Sequence, residues 1–122
     1  VKAIFDPANF VQGGVETYPS AYNMLKDQIV YMHIKDALYK DNSVVPSGQG
    51  DGRLEEILGV LYKAGYEGFL SIEPHLGSFT GFTSLEPNSK AREMPEGGLK
   101  LFTIAYEALV RILDKIEKPG DK

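Results

Sequence analysis

The sequence predicts an α/β fold in which about three βα units place their strands parallel in one sheet. Three short apolar runs alternate with three segments of helical periodicity, which is the pattern of βα units. Each apolar run also ends in a polar residue, at spacings close to one βα unit. The chain has 122 residues, 43% hydrophobic and 25% charged, enough for one domain over residues 1–122 with a real core.

The first run, residues 2–5, reads Lys-Ala-Ile-Phe and ends at Asp6. Residues 7–14, rich in Pro, Asn and Gly, predict a loop. A helix follows over about 19–28, with Ala21, Met24 and Leu25 on one side and Pro19 in its first turn. The second run, Ile-Val-Tyr-Met-His-Ile at 29–34, is β-branched and aromatic and is the clearest strand; it runs into Lys35 and Asp36. Pro46, Gly48, Gly50 and Gly52 punctuate residues 39–52 too often for a regular element. Leu54, Ile57, Leu58 and Leu61 then predict a helix over 53–64, with Gly65 as its left-handed cap. The third strand, 68–72, ends at Glu73-Pro74-His75. Residues 76–98 have loop composition, and their length suggests an active-site lid. Leu101, Phe102, Ala105, Leu109, Ile112, Leu113 and Ile116 form the stripe of a last helix over 99–117.

Composition removes several function classes. With no Cys, disulfide scaffolds and thiolate sites are excluded, which leaves carboxylates and the two His, His33 and His75, as metal-binding side chains. A net charge of -4 provides no basic field, so nucleic acid is not an expected partner. No apolar run reaches the ~18 residues of a membrane span and no signal segment opens the chain, so the expected location is the cytoplasm. The start at Val1, directly before a strand, leads us to expect a piece of a longer chain.

Asp6, His33 and Glu73 are the candidate site. They lie 27 and 40 residues apart at strand ends, where reactive groups collect in parallel α/β folds. Strand alternation allows all three to share one face. Taken singly each has an ordinary explanation: a packed strand histidine, a turn acid, a solvated strand end. Their coincidence on consecutive strands favours an open site for a divalent ion such as Mn²⁺, Mg²⁺, Co²⁺ or Zn²⁺. The Gly-rich stretch 47–52 lacks the Lys-Ser/Thr of a phosphate loop and reads as a turn. Tyr18, Tyr22, Tyr62, Tyr66 and Tyr106 are expected to pack at helix–sheet contacts.

The segments AIFDPANF, IVYMHIKDA and PSGQGDGRLEEILGVLYKAGYEGFLSIEPH, in that order, resemble the carboxyl-terminal half of the xylose isomerase-like TIM barrels, the sugar isomerase and 3-epimerase group. The resemblance spans about residues 3–75 and implies a partial (β/α)8 barrel, since a closed barrel needs ~250 residues. It implies a divalent metal held by two Glu, one Asp and one His, bound to adjacent oxygens of a keto sugar or related polyol, with the two Glu moving a proton through an enediolate. Carried onto this sequence, Asp6, His33 and Glu73 become metal ligands. Glu73 is also a catalytic carboxylate, and Lys35, Asn9 and Asp36 contact substrate. The family's first Glu precedes the position of Asp6 and has no counterpart in these residues. The implied activity, a metal-dependent sugar or sugar-phosphate isomerase or epimerase, is therefore expected of an intact enzyme and not of the 122 residues alone. The expected partner is the missing amino-terminal part of the barrel or another copy, although two copies give six strands and not eight. A keto-cyclitol dehydratase uses the same enolate chemistry, and a non-catalytic polyol-binding or assembly module would keep the fold without the metal. With two His and a net charge of -4, the multi-zinc endonuclease branch is disfavoured.

Overall fold

The computed structural model describes residues 2–76, 79, 85 and 87–117. Its centre is a parallel three-stranded sheet in the order β1 (Ala3–Phe5), β2 (Ile29–Ile34), β5 (Phe69–Ile72). The register sets Phe5 against Met32 and His33 against Ser71, so the three carboxyl ends lie on one side of the molecule. A short antiparallel pair, β3 (Asp36–Ala37) with β4 (Val44–Val45), extends from the end of β2.

Phe5, Met32 and Ile34 project from one sheet face into a core completed by Leu54, Ile57, Leu58 and Leu61 of α3 (Leu54–Lys63) and by Leu109 and Ile112 of α4 (Gly98–Glu117). The opposite face is open: Ile4 and Phe69, level with Tyr31 between them, are 59% and 74% exposed. α3 ends as its sequence predicts. Gly65 adopts φ +81°, its N–H donates to Tyr62, and the Tyr66 N–H donates to Leu61, which satisfies the last carbonyls of the helix.

Four expectations are corrected. Residues 7–14 are not a loop, because Pro7–Gln12 form α1; the Asp6 side chain accepts the Asn9 N–H as its N-cap and Pro7 takes the first helical position. The helix expected over 19–28 shrinks to α2 (Tyr22–Leu25), preceded by the irregular turn Thr17–Ala21, because the chain at Tyr18 is extended. α4 keeps its predicted stripe at Leu101, Ala105, Leu109, Ile112, Leu113 and Ile116, but Phe102 stays 45% exposed and Ile104 and Ala108 join the buried face. Tyr22 is buried and Tyr18 and Tyr66 pack on the core, but Tyr62 and Tyr106 are about half exposed.

The expected lid falls partly outside the described residues. Of its described part, Leu76 and Ala91 are buried against Ile104 and Ala105, and Ser89 and the Lys90 N–H donate to Glu107 of α4. No helix among the described residues is long and apolar enough to cross a membrane.

Candidate active site

Asp6 leaves β1 level with His33 of β2, because Phe5 pairs with Met32 one residue earlier. The carboxylate is nearly buried and serves two purposes. Its Oδ1 accepts the Asn9 N–H at 3.2 Å and starts α1, while Oδ2 meets His33 Nδ1 at 3.2 Å. Lys35, two residues beyond His33 on the same face, brings its ammonium within 3.5 Å of that same Oδ2. A carboxylate, an imidazole and an ammonium thus converge at the carboxyl end of adjacent parallel strands. Asn9 itself is exposed, and it is its backbone N–H that touches Asp6.

Glu73 does not join this group. Ile34 pairs with Ile72, so Glu73 stands level with Lys35, two residues beyond the level of His33. It also lies on the far side of β2 from Asp6, two strand spacings or about 10 Å across the sheet. Among the described residues no three His, Asp or Glu side chains are grouped closely enough to hold a metal ion. The expectation that Asp6, His33 and Glu73 converge is therefore corrected to a pair, Asp6 with His33. Glu73 heads a second small cluster, in which its Oε2 accepts from Ser71 at 3.3 Å and its Oε1 lies 3.6 Å from His75 Nε2. His75 was not among the expected site residues, although strand alternation already put Ser71 and His75 on the face of Glu73.

Asp36, expected among the substrate contacts, is corrected too. It is wholly buried, and all its acceptor capacity goes to backbone. Oδ1 accepts the N–H of Ala37 at 2.9 Å and of Gly52 at 2.8 Å, and Oδ2 accepts those of Gly48 at 2.9 Å and Gly50 at 3.1 Å. Burial pushes the carboxyl above the usual range, and the four N–H bonds pull against that rise. The Gly-rich stretch is thus a turn wrapped around an internal anion. Its glycines are required by space, since a Cβ on Gly50 or Gly52 would stand 2.5 and 2.7 Å from Asp36 Oδ1.

Asp6 and His33 form a hydrogen-bonded pair, and its spacing is also that of two ligands on one divalent cation. Two donors bound at about 2.1 Å and at right angles stand about 3 Å apart, close to the 3.2 Å between Oδ2 and Nδ1. Both are hard or borderline donors suited to Mn²⁺, Mg²⁺, Co²⁺ or Zn²⁺.

A family model, xylose isomerase-like TIM barrel, matches residues 1–100. The chain belongs to the xylose isomerase-like TIM barrel family. No curated protein and no solved structure matches it. In a xylose isomerase-like TIM barrel the parallel sheet and its open face are consecutive staves of the barrel wall, and the carboxyl ends that carry Asp6, His33 and Glu73 form the face where active sites of this fold are built. The family includes sugar isomerases and epimerases along with other enzymes.

Proposed function

We propose that these residues form the carboxyl-terminal part of a divalent-metal-dependent sugar or sugar-phosphate isomerase or epimerase. The observation that carries the reading is the meeting of Asp6 and His33 at the carboxyl end of two parallel strands, in a family that includes such enzymes. Asp6 Oδ2 and His33 Nδ1 would hold the ion, with the rest of its coordination left to substrate and to groups beyond the described residues. A bound divalent cation supplies Lewis acidity, polarising a carbonyl oxygen and easing loss of a proton from the neighbouring carbon.

The chain's own residues do the remaining work. Glu73, part exposed at the end of β5, would be the carboxylate that takes that proton and returns it through an enediolate. Ser71 donates to its Oε2, and His75 stands 3.6 Å from its Oε1. The Lys35 ammonium offers a donor to a substrate hydroxyl or to developing negative charge on oxygen. Asp36 holds the backbone that follows Lys35.

The test is solvent exchange. The protein carrying these residues within its complete barrel, incubated with Mn²⁺ and a panel of ketoses in D₂O, should place deuterium on the carbon next to the carbonyl, read by NMR. Glu73→Gln should slow that exchange by about 10²-fold or more. Exchange that proceeds unchanged in the variant would remove Glu73 from the mechanism, and a panel with no exchange would contradict the reaction class.

A further inference from the structure

We propose that Lys35 is a built-in counter-ion that occupies the cation position at Asp6 and so sets the affinity of the site for a divalent metal; this rests on the metal role given above to Asp6 and His33. The Lys35 ammonium lies 3.5 Å from Asp6 Oδ2, the oxygen that also faces His33. Both side chains are largely withdrawn from water, at 12% and 7% exposure. An ammonium so placed is stable only beside a compensating charge, and among the described residues Asp6 is the carboxylate within ion-pair distance of it.

The backbone leaves Lys35 little freedom to retreat. Ile34 before it is fixed in the sheet, its carbonyl accepting the Glu73 N–H, and Asp36 after it is clamped by four backbone N–H groups. Only the side chain can move. A divalent ion bound to Oδ2 would lie within a few Å of the ammonium, where like charges in a poorly solvated place repel strongly. Binding of the ion therefore requires the ammonium to swing away, and that requirement weakens the metal site. The same movement frees the ammonium for a substrate oxygen, so metal entry prepares Lys35 to meet substrate.

The experiment is calorimetric titration of Mn²⁺ alone into the chain and into Lys35→Met, Lys35→Arg and the double variant Lys35→Met with His33→Ala, with circular dichroism as the check on folding. Lys35→Met should bind Mn²⁺ about tenfold more tightly or better, which corresponds to about 1.4 kcal/mol. Lys35→Arg, which keeps the charge, should stay near the original affinity, and the double variant should lose the gain. Lys35→Gln, neutral but still able to donate to Asp6, replaces the Met variant if that one folds poorly. Equal or weaker His33-dependent binding in the neutral variants would overturn the counter-ion while leaving the metal pair in place. An absence of His33-dependent binding in every form would overturn both.

Discussion

At the scale of single residues, the two buried carboxylates divide the labour between site and scaffold. Asp6 faces a histidine and a lysine and is available to chemistry; Asp36 spends both oxygens on four backbone donors. Asp36→Ala strands those four donors, each worth about 1–3 kcal/mol when left unpaired in the interior. Urea unfolding should accordingly show a loss of several kcal/mol, or no cooperative transition at all, against the 5–15 kcal/mol of a typical domain. Gly50→Ala should be destabilising for the complementary reason, since its new methyl meets Asp36 and the Ala37 carbonyl at 2.5 Å. The strand-end positions of Asp6, His33 and Glu73 were legible in the sequence because periodicity and spacing locate strand ends. Which acid turns inward was not: Lys35-Asp36 reads as two polar residues, and only the alternate glycines at 48, 50 and 52 hint at a backbone folded around an anion. The register that separates Glu73 from the pair is equally invisible, since a shift of two residues keeps every side chain on its own face.

At the scale of elements, strands and long helices were legible and short helices were not. β2, α3 and α4 have periodicity long enough to declare themselves. α1 is six residues, too short for its buried Pro7, Ala8 and Val11 to declare a period, so its clearest evidence is at its start, where Asp6 caps and Pro7 follows. In α4 the stripe holds except at Phe102, which is apolar enough to join it by sequence while the buried face extends instead to Ile104 and Ala108. In α3, Gly59 sits in the helix interior with nothing within 4 Å of where a Cβ would stand. Gly59→Ala should therefore stabilise the protein by about 0.5–1 kcal/mol, through the lower chain entropy of alanine in the unfolded state. Thermal unfolding checks this, and a lowered midpoint would mean that the helix packs more tightly than its open surroundings imply.

At the scale of the whole molecule, three parallel strands bury one face and leave the other bare. The bare face carries Ile4, Tyr31 and Phe69, and among the described residues the outer edges of β1 and β5 have no strand partner. Exposed apolar surface beside unpaired edges favours association. Sedimentation of the chain should show concentration-dependent self-association, and Phe69→Lys should shift it toward monomer with little change in stability; an unaltered profile would locate the contact elsewhere. Family membership and the parallel α/β order were both legible at this scale, because motif order survives where contacts cannot be read. The central claim is that the carboxyl end of this sheet binds a divalent cation through Asp6 and His33. The most direct test is Mn²⁺ added to the ¹⁵N-labelled chain, with paramagnetic broadening of its amide signals mapped by NMR. Broadening centred on residues 6, 33 and 35 at low metal, and abolished by His33→Ala, is the predicted result. Broadening confined to surface acids such as Asp41, Glu55 and Glu56, or unaffected by the loss of His33, would contradict it.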